Sequence, residues 1–278
     1  MEVIDIKKFA VQIRTEAMRA ICCVGAGHVG GVLSIVDTIA VLYGSVMNID
    51  PQNPRWADRD YLICSKGHAG PAIYAALALK GYFPIEELAT LNKPGTHLPS
   101  HCDRNLTTGV DLTTGSLGQG TSQAVGVALG NRLDGRNNYT YLIIGDGEMQ
   151  EGQVWEAILC AAQQKLDHLI TFVDNNNKQL DGWTKDINDL GDIKAKFEAF
   201  NWYADEVDGS NVKEILEAIE KAKAVNGKPK AIILHTIKGK GWSFAENEFS
   251  NHSMTVNAQQ LETIIKELQQ SLGEEAQV

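Results

Sequence analysis

Positive charge is what this chain has least of: 25 lysines and arginines stand against 35 aspartates and glutamates, a formal charge of −10. A surface with that balance is not expected to bind nucleic acid or an anionic membrane, and an anionic ligand would need a local cation to hold it. Cysteines are five, Cys22, Cys23, Cys64, Cys102 and Cys160, an odd number without repeated spacing. That speaks against a disulfide framework or a zinc site and fits the reduced thiols of a cytoplasmic protein. No apolar run approaches the roughly 18–20 residues of a membrane span. The opening MEVIDIKKFAVQ puts acids first and has no apolar core with a cleavage site, so no signal peptide is expected and Met1 reads as a natural start. No internal repeat or low-complexity linker divides the 278 residues, which suffice for one large domain over 1–278.

What is present is an alternation of helix and strand patterns. Ile6, Phe9, Ile13, Ala17 and Ala20 recur at helical spacing, and a second helix is expected from Ser34, as its cap, to Met47. Strands are expected at 60–64, 139–144, 169–173, 202–207 and 231–235. Helices are expected at 67–80, 118–132, 151–165, 212–224 and 258–272. Alternation of this kind predicts an α/β fold, a parallel sheet with helices on both faces. The continuous apolar runs YLII and LITFV fit central strands. The stretch 93–114 has few helix or strand signals but two histidines and a cysteine, and so long a loop is expected to be functional or mobile. The C-terminal GEEAQV is expected to fray.

Two glycine motifs compete for a cofactor. Gly25-Ala-Gly27-His-Val-Gly30 matches the dinucleotide fingerprint, with Asp50 about twenty residues on, and raises an NAD-dependent oxidoreductase as an alternative. The residues before Gly25 continue a helical pattern, however, and His28 fills the spacer that would face the pyrophosphate. The stronger motif is GDGEMQEG at 145–152, followed thirty residues after Asp146 by Asn176 in VDNNNKQLDG. Each half follows an apolar strand, so Asp146 and Asn176 converge at the carboxyl edge of a parallel sheet. A carboxylate, an amide oxygen and a backbone carbonyl suit Mg²⁺ or Ca²⁺, with diphosphate oxygens completing the shell. Gly147 clears the way for a backbone N–H to reach a phosphate, beside a helix start that favours anions. The ligand order of an EF-hand is absent.

AGHVGG, IDPQNPRWADRD, SKGHAGPAIYA, TTGSLGQG, GDGEMQEGQVWEA, DNNNKQLDG and HTIKGKG together resemble the thiamine-diphosphate enzymes, and among them the transketolase family, from the first helix to about His252. The resemblance implies a thiamine-diphosphate-binding fold, here its diphosphate-binding domain. It implies thiamine diphosphate and Mg²⁺ (or Ca²⁺) as cofactors. Asp146 and Asn176 would be metal ligands with the carbonyl of Lys178; Gly147 and His68 would contact the diphosphate; Gly115 and Leu117 would line the aminopyrimidine ring. His101 aligns with the family histidine that meets the donor hydroxyl, with His97 as its local competitor. His28 lies in a glycine-rich turn suited to phosphate or hydroxyl binding, and His252 matches a histidine near the diphosphate and substrate, although SNHSMT departs from the usual H-G-x-P-L. Glu151 and Glu156 match acids of a carboxylate network at the subunit interface, or else simply favour a helix N-terminus. His168 and His235 read as structural, Lys238 as a positive charge near the site or, by default, a solvated lysine, and Trp155, Trp183 and Trp242 as packing or interface residues.

The family's pyrimidine-binding and C-terminal domains have no counterpart in this chain, and with them goes the glutamate that activates the cofactor. The resemblance therefore implies the N-terminal subunit of a split transketolase, active only with a pyrimidine-domain partner, as a heterotetramer. The reaction class is transfer of a two-carbon ketol unit from a ketose to an aldose; a 1-deoxyxylulose-5-phosphate synthase-like half is the alternative. An apolar docking surface is expected on the helix around 117–128 and on that starting at Glu151.

Overall fold

A computed structural model describes residues 2–275. The amphipathic opening forms helix α1 (Val3–Val24), ended by Gly25 in the left-handed region at φ 96°. After the two-residue strand β1 (Ala26–Gly27) come the short helices α2 (Val29–Leu33) and α3 (Val36–Val41), the latter running into a wider turn over Leu42–Val46. Here the structure corrects the expected helix 34–47. Ser34 closes α2 and does not start a helix, because its hydroxyl is 2.7 Å from Asp174 Oδ2 and serves that carboxylate instead of a helix N–H. The stretch Val29–Val46 is also long and apolar enough to meet the length and composition of a membrane span, contrary to the sequence reading. It is mostly buried inside the fold, and a helix enclosed on all sides is apolar all round.

Strand β2 (Tyr61–Cys64) leads through the tight turn Gly67–Ala69 into α4 (Gly70–Leu79). Next come α5 (Gln119–Leu133), β3 (Thr140–Gly145), α6 (Gly152–Gln163), β4 (Leu169–Asn175), α7 (Thr184–Asn188), α8 (Ile193–Ala199), β5 (Tyr203–Asp208), α9 (Val212–Lys223) and β6 (Lys230–His235). The chain continues through α10 (Ser243–Asn247), β7 (Met254–Thr255) and α11 (Ala258–Glu275). The last three residues of the tail expected to fray lie outside the described residues. The main sheet has the order β2-β3-β4-β6-β5 and is parallel throughout.

Side chains alternate across the sheet and feed two cores. Tyr141, Ile143, Ile170, Phe172, Ile232 and Leu234 pack with α1, α3, α4 and α9 on one face. Leu142, Ile144, Val173 and Ile233 pack with α5, α6 and α8 on the other. Every residue of β3 is buried, which explains why its sequence is a continuous apolar run. The loop 93–114 carries no helix or strand, as expected, but it is anchored: Tyr74 Oη donates to Pro99 O at 2.9 Å, Thr114 N to Cys102 O at 3.0 Å, and Leu98 and Cys102 are buried.

Two close approaches shape the carboxyl edge of the sheet. The antiparallel ladder of β1 with β7 pairs Ala26 with Thr255 and Gly27 with Met254, bringing the 28 and 252 regions together from opposite ends of the chain. Helix α5 comes so near the end of β2 that a Cβ on Gly120 would lie 2.5 Å from Ser65 Oγ and 2.7 Å from Ser65 Cα. Gly126, exposed in the same helix, would meet nothing within 4 Å. Gly120→Ala should therefore lower unfolding stability by about 1–3 kcal/mol through overpacking. Gly126→Ala should raise it by about 0.5–1 kcal/mol through helix propensity. Urea unfolding of both variants checks this; equal effects would remove the close-packing argument.

Candidate functional site

The loops after β2, β3, β4 and β6 enclose a cavity of about 250 Å³ at the carboxyl edge of the sheet. Ten of the residues singled out from sequence line it: His28, His68, His101, His252, Gly115, Leu117, Asp146, Gly147, Asn176 and Lys178. His97 is exposed on the anchored loop and does not reach it. His168 stacks on Tyr139 at 4.6 Å between ring centroids, and His235 lies exposed near Glu206; neither lines the cavity. Glu151 and Glu156 are also outside it: Glu151 precedes the first turn of α6 in extended conformation, and both carboxylates are exposed. Trp242 is buried core, whereas Trp183 is partly exposed.

The segment offered as a dinucleotide fingerprint has the wrong scaffold. Helix α1, not a strand, leads into Gly25, and β1 pairs antiparallel with β7. The strand–turn–helix that would aim a helix N-terminus at a pyrophosphate is absent there.

The floor of the cavity is a polar network that the sequence motifs only partly expose. Asp174, fully buried at the end of β4, accepts from Lys66 Nζ, from Thr236 Oγ1, from Ser34 Oγ at 2.7 Å and from Asn176 Nδ2 at 3.0 Å. Burial alone would raise its carboxyl, but the Lys66 ammonium and these donors hold it below the ordinary carboxylate range. Glu148 is buried too; it accepts from the Ser65 hydroxyl, from Gly118 N at 2.8 Å and from Gly145 N at 3.1 Å. It thus ties the start of α5 to the GDG loop. Lys238, expected to be solvated, is only 4% exposed and lines the cavity.

The metal-type donors stand beside this floor. Asp146 Oδ1 accepts from Gly147 N at 2.8 Å and its Oδ2 from Thr184 Oγ1 at 3.0 Å. Burial, with Asp174 adding to it, pushes the Asp146 carboxyl up to about 6. Asn176 Oδ1 accepts from Lys178 N at 3.1 Å. Among the described residues no three His, Cys, Asp or Glu side chains gather as a metal cage. One buried carboxylate, one amide oxygen and one carbonyl form an oxygen set that fits a hard cation sharing its remaining positions with phosphate oxygens. Lys66 and Lys238 line the same cavity and offset further negative charge.

A groove of about 300 Å³ between α1 and α11 is somewhat larger. Its Arg14 and Asp37 satisfy one another at 3.0 and 2.5 Å, and of the glycine-rich motifs it takes only Lys240 and Gly241 from HTIKGKG. The chemistry therefore points to the first cavity.

Four imidazoles crowd the cavity wall. His28 lies 5.3 Å from His68, 5.8 Å from His101 and 5.4 Å from His252, and His68 lies 5.0 Å from His252, between ring centroids. Gly115, at φ 150°, keeps room beside His101, since a Cβ would come within 3.2 Å of that ring.

The family described as transketolase, thiamine diphosphate binding domain, matches residues 6–277. The chain belongs to the transketolase family. It is 53% identical over 266 residues to the 6-deoxy-6-sulfo-D-fructose transketolase subunit SqwG of Clostridium sp. (strain MSTE9), covering 96% of this chain and 97% of that one. It is 39% identical to an apulose-4-phosphate transketolase subunit from Actinobacillus succinogenes over 87% of each chain. A crystal structure of a Pichia stipitis transketolase mutant superposes with a TM-score of 0.90 at 30% identity, covering 98% of this chain but 41% of the other. This transketolase-type chain is thus a transferase subunit carrying a thiamine-diphosphate-binding domain, and its α/β fold is that of the family.

Burial, then the neighbouring Lys66 and His252, push His68 far below its ordinary value, and burial with Lys238 lowers His252 to about 4. Unfolded, both titrate near about 6.5. The folded chain therefore binds fewer protons than the unfolded one, so stability present above about pH 6.5 is lost as pH falls. Replacing His68 by Asn should make this acid limb shallower by about 1 kcal/mol per pH unit between roughly pH 6 and 4.5. Urea midpoints across that range are the measurement; an unchanged slope would mean that His68 is charged in the folded chain.

Proposed function

We propose that this chain is the cofactor-anchoring subunit of a two-chain transketolase that transfers a two-carbon ketol unit from a ketose to an aldose, with a 6-deoxy-6-sulfo ketose as donor. The observation that carries the donor class is the 53% identity, along nearly the full length of both chains, to a subunit named for that sugar. Apulose-4-phosphate transketolase subunits match at 39% and 34%.

In this reading Asp146, Asn176 and the carbonyl of Lys178 would hold Mg²⁺ (or Ca²⁺), which would supply positive charge for the anionic diphosphate. Gly147 and His68 meet the diphosphate, and Gly115 and Leu117 flank the pyrimidine end. When bound, thiamine diphosphate supplies the carbon nucleophile and electron sink for moving the two-carbon unit. The chain's own part is to bind, orient and keep water out. His101 receives the donor's hydroxyl, and His28 and His252 present further imidazole nitrogens to the same space. The partner is a subunit carrying the pyrimidine-binding domain, in a two-plus-two heterotetramer.

Two facts support a partner. The relatives named as subunits are matched over 97% and 87% of their own length, whereas the solved transketolase is more than twice as long as the matched part. The surface beside the cavity also carries exposed Leu180, Trp183, Ile187 and Phe249, and α6 exposes Leu159. Trp183 and Phe249 meet at 5.9 Å with the Lys178 ammonium over both rings. Of the two helices expected to carry the apolar surface, the stretch 117–128 exposes no large apolar side chain; the surface lies on α6 and on the loop that follows Asn176.

Asp146→Ala should weaken cofactor binding by the reconstituted complex by at least roughly 100-fold, about 2.7 kcal/mol, and leave the fold intact. Calorimetry with and without chelator checks this; an unchanged, chelator-sensitive affinity would remove Asp146 from the metal site.

The functional test is a ketose panel on the complex reconstituted with a pyrimidine-domain subunit. The sulfonated ketose should be turned over best, and the chain alone should show no transfer. His101→Ala should lower kcat/KM for the ketose by roughly 10- to 100-fold, the size of a lost buried hydrogen bond. His97→Ala should change it little. Turnover by this chain free of any partner would overturn the split reading. Preference for phosphorylated ketoses, or formation of 1-deoxyxylulose 5-phosphate, would overturn the donor assignment.

A further inference from the structure

Lys238 is a buried ammonium with an unusual set of neighbours. Its Nζ lies 3.2 Å from Lys178 O, 3.4 Å from Gln179 O and 3.2 Å from His252 Nδ1. Its stem is fixed by close packing, since a Cβ on Gly30 would lie 2.8 Å from Lys238 Cγ. Its carbonyl accepts from Asn251 Nδ2 at 2.8 Å, so Lys238 holds the 251–252 segment through both backbone and side chain.

An ammonium has three N–H donors and no lone pair. Two of the three neighbours are carbonyl oxygens, which only accept. The third, Nδ1 of His252, must therefore accept as well. A neutral imidazole carries one proton, and the nitrogen opposite a donor cannot be the one that bears it. Among the described residues, Nε2 of His252 takes no hydrogen bond. The ring lines the cavity, wedged between His28 and His68.

We propose that Lys238 is a positioning residue that fixes His252 as the Nε2–H tautomer, so that His252 offers the cavity a hydrogen-bond donor and not an acceptor. Phosphate and hydroxyl oxygens are the acceptors such a donor meets, and a free imidazole, which exchanges between tautomers, would meet them only part of the time. The use of this donor rests on reading the cavity as the diphosphate and sugar site; the tautomer itself does not.

The test is nitrogen NMR of the full chain with ¹⁵N-labelled histidine at about pH 6, where a lysine of ordinary pKa is charged and the ring's own ¹⁵N shifts report its protonation. His252→Gln assigns the ring. In the wild type, Nδ1 should resonate in the unprotonated range and Nε2 in the N–H range. Lys238→Met should move both toward averaged values, whereas Lys238→Arg, which keeps a donor there, should restore the wild-type pattern. In the reconstituted complex Lys238→Met should also weaken thiamine-diphosphate binding about tenfold, with Lys238→Arg recovering most of it. A protonated Nδ1 in the wild type overturns the proposal, even if the Met variant fails to fold. So does a His252 spectrum that Lys238→Met leaves unchanged. A confirmed tautomer with unaltered cofactor affinity would instead count against the cavity's role and leave the positioning intact.

Discussion

The buried pair of Lys66 and Asp174 is the interaction on which the cavity depends. Asp174 ends β4, Lys66 follows β2, Thr236 follows β6, and Ser34 lies between α2 and α3; one carboxylate gathers all of them. Removing one member of a fully buried pair typically costs about 3–5 kcal/mol, because the other is left charged in a low dielectric. The same geometry sets the next layer. With Asp174 committed to Lys66, its hydrogen bond from Asn176 leaves that residue's amide oxygen turned to the Lys178 N–H. Asp146, just after the neighbouring strand, keeps a carboxyl raised by burial and by the nearby Asp174 charge. A divalent cation beside it would complete a balance that the protein groups begin.

This arrangement reconciles an acidic chain with an anionic cofactor. The formal charge of −10 is a property of the whole sequence, whereas Lys66 and Lys238 are confined to the one cavity where negative charge must arrive. Buried lysines act at short range in a medium poorly screened by salt. The surface charges, solvated and screened by salt, have little say there. Net charge therefore speaks against general polyanion binding without bearing on a local phosphate site.

The features legible in the sequence are those written in contiguous residues. YLII and LITFV announce β3 and β4 because both faces of those strands are covered, and Asp146, Gly147 and Asn176 follow them directly. His28, His68, His101 and His252 stand out through glycine-rich motifs and family likeness, not through spacing. The rest depends on partners far apart in the chain. A local rule makes Ser34 a helix cap, and a carboxylate 140 residues away overrules it. Glu148 stands in plain view within GDGEMQ, yet only the arrival of Ser65 and Gly118 gives it a role. Lys238 escapes because a lysine is solvated by default, and nothing local shows that Gly30 packs on its stem and Asn251 holds its backbone carbonyl.

Three imidazoles within 6 Å of a central fourth, His28, could be a store of positive charge or a set of directional groups, and the structure decides between them. Burial, and then neighbouring His101 and Lys238, lower His28; His68 and His252 are lowered by burial and by the lysines. Charging any one ring would raise the cost of charging the next, so near neutrality these three are neutral. Positive charge is thus carried by lysines, whose ammonium groups hold it through physiological pH, and direction by histidines. A neutral imidazole offers one donor and one acceptor in a fixed plane, which suits the hydroxyls of a sugar better than a diffuse charge does. Under the proposed function, Lys66, Lys238 and the glycine N–H groups would serve the anionic end together with the His68 ring, and the remaining neutral rings would serve the polyhydroxylated end.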